Sequence, residues 1–298
     1  MAAPGSEYSR RPCVYFAADA GARRPELVGG EFACMNELAD EVPLPTSFCL
    51  TALSPDDLLP AETDDLRRVL AGAYARLQAI TGQPDPRLVV RRSTGGPLPQ
   101  PSTAPSFLDV AGLNRLTDAV HEVLRWPAPT RVLDPRLPPA ALGGRGRSGV
   151  LVQVLVPAEV TAQVGPSAPG AGTRRGTDPV PSGRPDPDPL IGVRAAWGLG
   201  EGLHDEETPA DTYLFTENLR LLQQRIAKKD WMTVLAEGAV MSVQVPARLR
   251  LVTCLDEEQA RRVSSLYLHV RQRLRRDVRM SVASLAGDLV PVACAPVS

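Results

Sequence analysis

Apolar residues recur along this chain at helical and strand periods, and the changes between the two mark its elements. Phe32, Met35 and Leu38 share one helical face, and the following VPLPTSFCLT reads as a proline-broken turn running into a strand. Ser54 and Pro55 have the residue types of a cap and first position of a second helix. A longer helix from Thr63 carries Leu66, Val69, Leu70, Ala73, Leu77 and Ile80 at helical spacing and stops near Gly82 and Pro84. LVVRRS, from Leu88 to Ser93, has the length and branching of a strand, and a helix from Leu113 to Trp126 presents Leu116, Val120, Val123 and Leu124 to a core. The first half therefore alternates helices and strands.

The run SGVLVQVLV, from Ser148 to Val156, is apolar enough for a strand covered on both faces and is the candidate for a central hinge strand. Residues 165–190 differ, with seven prolines and five glycines in twenty-six residues and almost no large apolar side chain. Such a segment cannot offset its ordering entropy, which predicts a mobile loop. LIGVRAAWGLGEGL then reads as a strand entering a glycine turn. Asp256 and Gln259 have the spacing of a capping box, and Ala260, Val263, Leu266, Tyr267, Val270 and Leu274 continue as an amphipathic helix whose basic run RQRLRR reads as a solvated face.

Composition narrows the classes of function. The 298 residues are 43% apolar, enough for one large domain or two coupled lobes, and a formal charge of -1 supplies no field for nucleic acid or an anionic membrane. The start has no apolar leader and no stretch reaches the roughly 18 uninterrupted apolar residues of a membrane span, which predicts a cytoplasmic protein. Cys13, Cys34, Cys49, Cys254 and Cys294 are scattered, without a CxxC pair or nearby histidine, and read as small buried thiols. Among 33 basic residues only Lys228 and Lys229 are lysines.

Separated segments, in order and spanning nearly the whole chain, resemble the ATP-grasp domain of the phosphoenolpyruvate synthase, pyruvate phosphate dikinase and rifampicin phosphotransferase family. LVGGEFACMNELADEVPLPTSFCLT is similar to the family's GGKGA-type helix and following strand, and LVVRRSTGG to its VRSSA strand. SGVLVQVLVPAEV resembles the strand facing the adenine, and DVRMSVASLAGDLVPVACAPVS the closing strand pair with its LLQAR. The WGLGE in LIGVRAAWGLGEGLHDEETPADTYLF is the most specific match.

The positions that this resemblance assigns to phosphate chemistry have changed. Glu31 stands where the family has the GGKGA lysine, and a carboxylate there repels polyphosphate. Arg91 retains the VRSSA arginine and is the residue left to meet an anion. The phosphate loop after it is shortened to TGGPLPQPSTAPS, with prolines at 97, 99, 101 and 105 removing backbone donors. Arg279 and Ala293 replace the glutamate and glutamine that hold magnesium, and neither supplies an oxygen ligand. Ala295 replaces the LLQAR arginine, and the family's FTADPVTG has become the Gly/Pro-rich stretch after Val164. None of His121, His204 and His269 has the setting of the family's phosphocarrier histidine, and the chain ends at Ser298, about where the domain carrying it would begin.

The expectation is thus an α/β (α+β) fold, a degenerate and free-standing two-lobed ATP-grasp-like domain with mixed sheets, its lobes at 1–147 and 148–298 with 165–190 a flexible loop. The resemblance assigns ligand binding to Arg91, to a hinge of Gln153, Val154 and Leu155 that uses backbone groups and apolar contact, and to Gly198, Gly200 and Glu201 of the glycine turn. It leaves no catalytic residue or metal ligand to name, and an adenine nucleotide without magnesium as the cofactor the frame would accept. It implies a pseudoenzyme that binds a partner protein, such as a biosynthetic enzyme, or a small ligand. The alternative is an ATP-dependent phosphotransferase subunit working with separate phosphohistidine and acceptor polypeptides.

Overall fold

A computed structural model describes residues 13–51, 60–93, 106–125, 149–167, 190–203 and 208–297. The chain forms two compact units, Met1–Glu37 with Pro45–Leu155, and Leu38–Leu44 with Val156–Ser298. Each unit has its own sheet and core.

The first unit contains β1 (Val14–Phe16), α1 (Pro25–Glu37), β2 (Ser47–Leu50), α2 (Pro60–Thr81), β3 (Leu88–Ser93), β4 (Phe107–Val110), α3 (Gly112–Arg125) and β5 (Gly149–Val154). Its five strands lie in the order β1-β2-β5-β3-β4, every neighbour antiparallel. Successive side chains of a strand point to opposite faces. Phe48, Leu50, Val150 and Val152 accordingly join Leu66, Leu70 and Leu77 of α2 and Leu116, Val120 and Val123 of α3 in one core. Cys49 and Leu151 face the other way, into a smaller cluster with Val28, Phe32 and Ala33 of α1. Helices on both faces explain why β5 is apolar on both sides from Val150 to Val152, with Gln153 the polar exception. Each large side chain buried there contributes roughly 1.5–3 kcal/mol.

That pairing corrects the expected lobe boundary. The sequence reading placed residues 148–156 at the head of the second lobe, but β5 is hydrogen-bonded between β2 and β3 at the centre of the first sheet. The division falls after Leu155, and Leu38–Leu44 belongs with the second unit. Strand partnership is set by non-local pairing, which hydrophobic periodicity does not encode.

The second unit contains β6 (Val160–Ser167), β7 (Leu190–Trp197), β8 (Asp211–Thr216), β9 (Leu221–Arg225), β10 (Trp231–Ala236), β11 (Ala239–Gln244), α4 (Glu257–Leu274), β12 (Val278–Leu285) and β13 (Asp288–Pro296). Six strands form one antiparallel sheet, ordered β13-β12-β6-β7-β8-β9, while β10 and β11 make a separate hairpin. α4 packs on β6, β7, β8 and β12. Its buried Val263, Tyr267 and Val270 belong to the same unit as the buried Val164, Ile191, Tyr213, Phe215, Met280 and Val282 of the sheet. The expected capping box is present: Asp256 accepts from the Gln259 N–H at 2.7 Å and the Gln259 side chain accepts from the Asp256 N–H at 2.9 Å.

The expected loop at 165–190 begins too early and ends too late. Gly165, Pro166 and Ser167 pair with Gly192, Ile191 and Leu190. Pro166 is tolerated because β12 pairs with β6 only up to Val164, so no second ladder asks for its missing N–H. Residues 168–189 lie outside the described residues, as do Ser54, Pro55, the prolines at 97, 99, 101 and 105, and His204. Among the described residues no helix is long and apolar enough to cross a membrane.

Candidate functional site

In the first unit a close helix-strand approach builds a polar cluster. α1 is kinked at Gly29, whose φ of 79° suits glycine and whose Cα lies so near β3 that a Cβ would meet the Ser93 carbonyl oxygen at 2.2 Å. The helix resumes there, and the Phe32 N–H is capped by Ser93 Oγ at 3.1 Å. This seating brings Glu31 over Arg91, which lies two residues before Ser93 and on the same strand face. Arg91 donates from Nε at 3.1 Å and from Nη2 at 2.7 Å to Glu31 Oε1, and from Nη1 at 3.1 Å to Gln153 Oε1 on β5. The pair is largely shielded, with side chains 19% and 14% exposed. Burial first, and then the Glu31 charge, pushes the neighbouring Cys49 thiol well up. Arg92, on the opposite strand face, is buried and donates to the Val123 carbonyl at 2.7 Å.

Two of the expected ligand-binding residues, Arg91 and Gln153, are therefore joined, and both are joined to Glu31. The hinge positions behave differently. The Val154 N–H donates to the Thr46 carbonyl at 2.9 Å and the Leu155 N–H to the Arg87 carbonyl at 2.8 Å. Those amides complete the unit's own strand ladder, so an adenine at this strand end must use other groups.

Gly198, Gly200 and Glu201 lie in the second unit. Gly198 has φ +74°, and a Cβ on it would meet the Thr233 carbonyl oxygen at 2.1 Å; Gly200 has φ +65°, and a Cβ on it would meet the Thr161 side chain at 2.5 Å. The Gly198 N–H donates to the Glu159 carbonyl at 2.7 Å, the Leu199 N–H to the Thr233 carbonyl at 2.8 Å, and Thr161 Oγ1 to the Gly198 carbonyl at 2.8 Å. Glu201 accepts from Thr233 Oγ1 at 3.1 Å. Arg194 on β7 gathers the far side of the turn, donating to the carbonyls of Leu203 at 2.7 Å and Thr208 at 3.0 Å. The WGLGE turn thus buckles β7 to β6 and β10, and its first two amides are engaged within the protein.

One cluster escaped the sequence reading. Lys229 and Asp211 are buried together, with Nζ at 2.5 Å from Oδ1 and side chains only 2% and 0% exposed. Asp211 also accepts from the Ala227 N–H at 2.9 Å and, through Oδ2, from the Cys254 N–H at 2.7 Å. Lys229 also donates to the Ala227 carbonyl at 2.9 Å. Burial first, and then the Asp211 charge, raises the Cys254 thiol. The signal that was present in the sequence is the rarity of lysine beside so many arginines.

The family model for the pyruvate phosphate dikinase AMP/ATP-binding domain matches residues 58–280. The chain belongs to that family. A curated relative, a probable phosphoenolpyruvate synthase of Methanocaldococcus jannaschii, is 24% identical over 241 residues, which are 79% of this chain and 19% of that protein. The chain spans about a fifth of that relative's length. Among solved structures, the D-alanine–D-alanine ligases of Bacillus anthracis and Coxiella burnetii are similar at TM-scores of 0.37 and 0.39, each 12% identical. They cover 89% and 90% of this chain, and the matched parts are 55% and 47% of theirs.

As an AMP/ATP-binding domain of the pyruvate phosphate dikinase family, this chain departs from the expected metal chemistry at its closing strands. Arg279 on β12 pairs in register with Ala295, and Ala293 on β13 with Ser281. The Arg279 guanidinium and the methyl groups of Ala293 and Ala295 offer magnesium no oxygen, so the positions that the family would use for the ion do not fit it, and the Ser281 hydroxyl is the one side-chain oxygen of the two pairs. Of the histidines, His121 lies on α3, where burial and then Arg125 hold it below the ordinary imidazole range. His269 Nε2 on α4 lies 2.9 Å from Glu41 Oε2, and Arg273 donates to the same carboxylate. The basic run of α4 is thereby partly paired: Arg271 meets Glu217 at 2.5 Å. Cys34, Cys49, Cys254 and Cys294 are buried, and Cys13 is half-buried.

Proposed function

We propose that this domain is a cytoplasmic pseudoenzyme, an ATP-grasp scaffold that binds a partner protein or a small ligand and transfers no phosphoryl group. The observation that carries the reading is the Glu31–Arg91–Gln153 cluster. The arginine that would face a nucleotide's phosphates already faces a carboxylate of its own chain. Arg279, Ala293 and the engaged amides of the glycine turn support the same reading. Adenosine or AMP remains an acceptable ligand, because apolar contact at the β5 end survives the loss of phosphate and metal groups. Purified chain mixed with ATP, magnesium and pyruvate tests this: neither hydrolysis nor phosphopyruvate formation is expected. Turnover that disappears in an Arg91→Gln variant would overturn the proposal.

A second reading has the chain as the ATP-binding subunit of a split phosphotransferase. It is favoured by the match to the pyruvate phosphate dikinase AMP/ATP-binding domain and by the likeness to a probable phosphoenolpyruvate synthase. A separately encoded phosphohistidine domain, added with ATP, should then become labelled on histidine only when this chain is present.

A further inference from the structure

We infer that Glu31 is a built-in anion: its carboxylate occupies the face of Arg91 that a phosphate-type dianion would take, and so closes the first unit to such ligands. The Nε and Nη2 groups of Arg91 form the edge of the guanidinium that grips paired oxygens of carboxylates and phosphates, and here both donate to Glu31 Oε1. Arg91 is aimed by a second partner as well. Gln153, itself 3% exposed on a central strand, accepts from Nη1, so the guanidinium keeps an anchor when the Glu31 charge is removed. Glu31 is held in turn by the seating of α1, where Gly29 lies against the Ser93 carbonyl and Ser93 caps the Phe32 N–H. The neighbouring Cys49 thiol is kept protonated by its burial and adds no charge to the cluster.

Exposure leaves Arg91 within reach of solution once the Glu31 charge is removed. Its side chains retain 19% and 14% of their accessible surface, against 2% and 0% for Lys229 and Asp211, so a small anion has a route to the first pair and none to the second. Neutralising Glu31 leaves a shielded cation without its carboxylate, which destabilises the fold until another anion arrives. Binding of that anion to the folded state alone restores stability in proportion to the logarithm of its concentration.

The inference requires no adenine site, so the probe is inorganic pyrophosphate, applied to the full chain with sodium chloride at matched ionic strength as control. In thermal melting, Glu31→Gln and Glu31→Ala should melt below the parent and recover with pyrophosphate, while the parent does not respond at ~10 mM. Titration calorimetry should find pyrophosphate binding at least roughly ten-fold tighter in Glu31→Gln than in the parent. Adding Arg91→Gln to Glu31→Gln should abolish the recovery. Equal pyrophosphate binding by the parent, recovery that persists in the double variant, or no recovery in a folded Glu31→Gln protein would each overturn the inference. Glu31→Gln keeps the side chain's shape and decides alone where Glu31→Ala is too unstable to purify. Failure here with ATP still not turned over removes only this inference; ATP turnover by the parent removes the proposed function instead.

Discussion

Each unit of this chain holds a shielded cation against a carboxylate, and the two pairs are built to different ends. In the second unit Asp211 is fully enclosed, takes Lys229 on one oxygen, and satisfies the N–H groups of Ala227 and Cys254 from segments far apart in the chain. It is a staple, and nothing outside the fold can replace either member. In the first unit Glu31 meets Arg91 through one oxygen, and Arg91 is shared with Gln153. Burial with complete hydrogen bonding makes an ion pair structural, whereas partial exposure lets an anion from solution reach the cation once its own carboxylate is removed.

The largest expected effect breaks the staple. Asp211→Ala should cost about 3–5 kcal/mol, because it strands a buried ammonium together with two backbone donors. Denaturant unfolding of the purified variant measures it. Replacing Asp211 and Lys229 together by Leu and Met should recover only part of that loss. The charge problem disappears, but the N–H groups of Ala227 and Cys254 still lack an acceptor. Full recovery would mean that the carboxylate serves the lysine alone.

Glu31→Lys sharpens the other side of the comparison. It sets an ammonium against Arg91 and should lower stability by about 1–2 kcal/mol without a ligand, as expected for breaking a partly exposed pair. The same change should improve ATP binding by on the order of 1 kcal/mol relative to adenosine, for one partly screened charge contact. Titration of both ligands into both proteins reads the difference. A variant as stable as the parent would mean that the Glu31 pair holds nothing in place.

A smaller effect calibrates the scale within the second unit. Asp256→Ala removes the acceptor for the Gln259 N–H and should cost about 1 kcal/mol, the usual effect of losing a helix cap. In two-state unfolding this should be several-fold below the loss for Asp211→Ala. Similar losses would show that Asp211 acts as a local cap and not as a staple.

Local pattern made part of this molecule legible. β3, α3 and α4 fall close to where periodicity predicts them, and the α4 capping box follows from two residues three apart. β9 to β11 were not read, because their side chains are mostly exposed or half-buried and lack the alternation of a strand with one buried face. The site shows the same limit. Glu31, Arg91 and Gln153 each carry a signal in the sequence, but about sixty residues separate Arg91 from either partner, and only the seating of α1 on β3 and the pairing of β3 with β5 unite them. The glycine turn was read as a ligand element, yet its amides reach Glu159 and Thr233, partners that adjacency in sequence does not indicate.

The central claim is that the groups expected to hold a triphosphate and its metal hold the protein to itself. Calorimetric titration of adenosine, AMP and ATP, each with and without magnesium, tests it most directly. The account predicts that ATP binds no more tightly than adenosine or AMP and that magnesium makes little difference. A magnesium-dependent preference for ATP in the unmodified protein would contradict it.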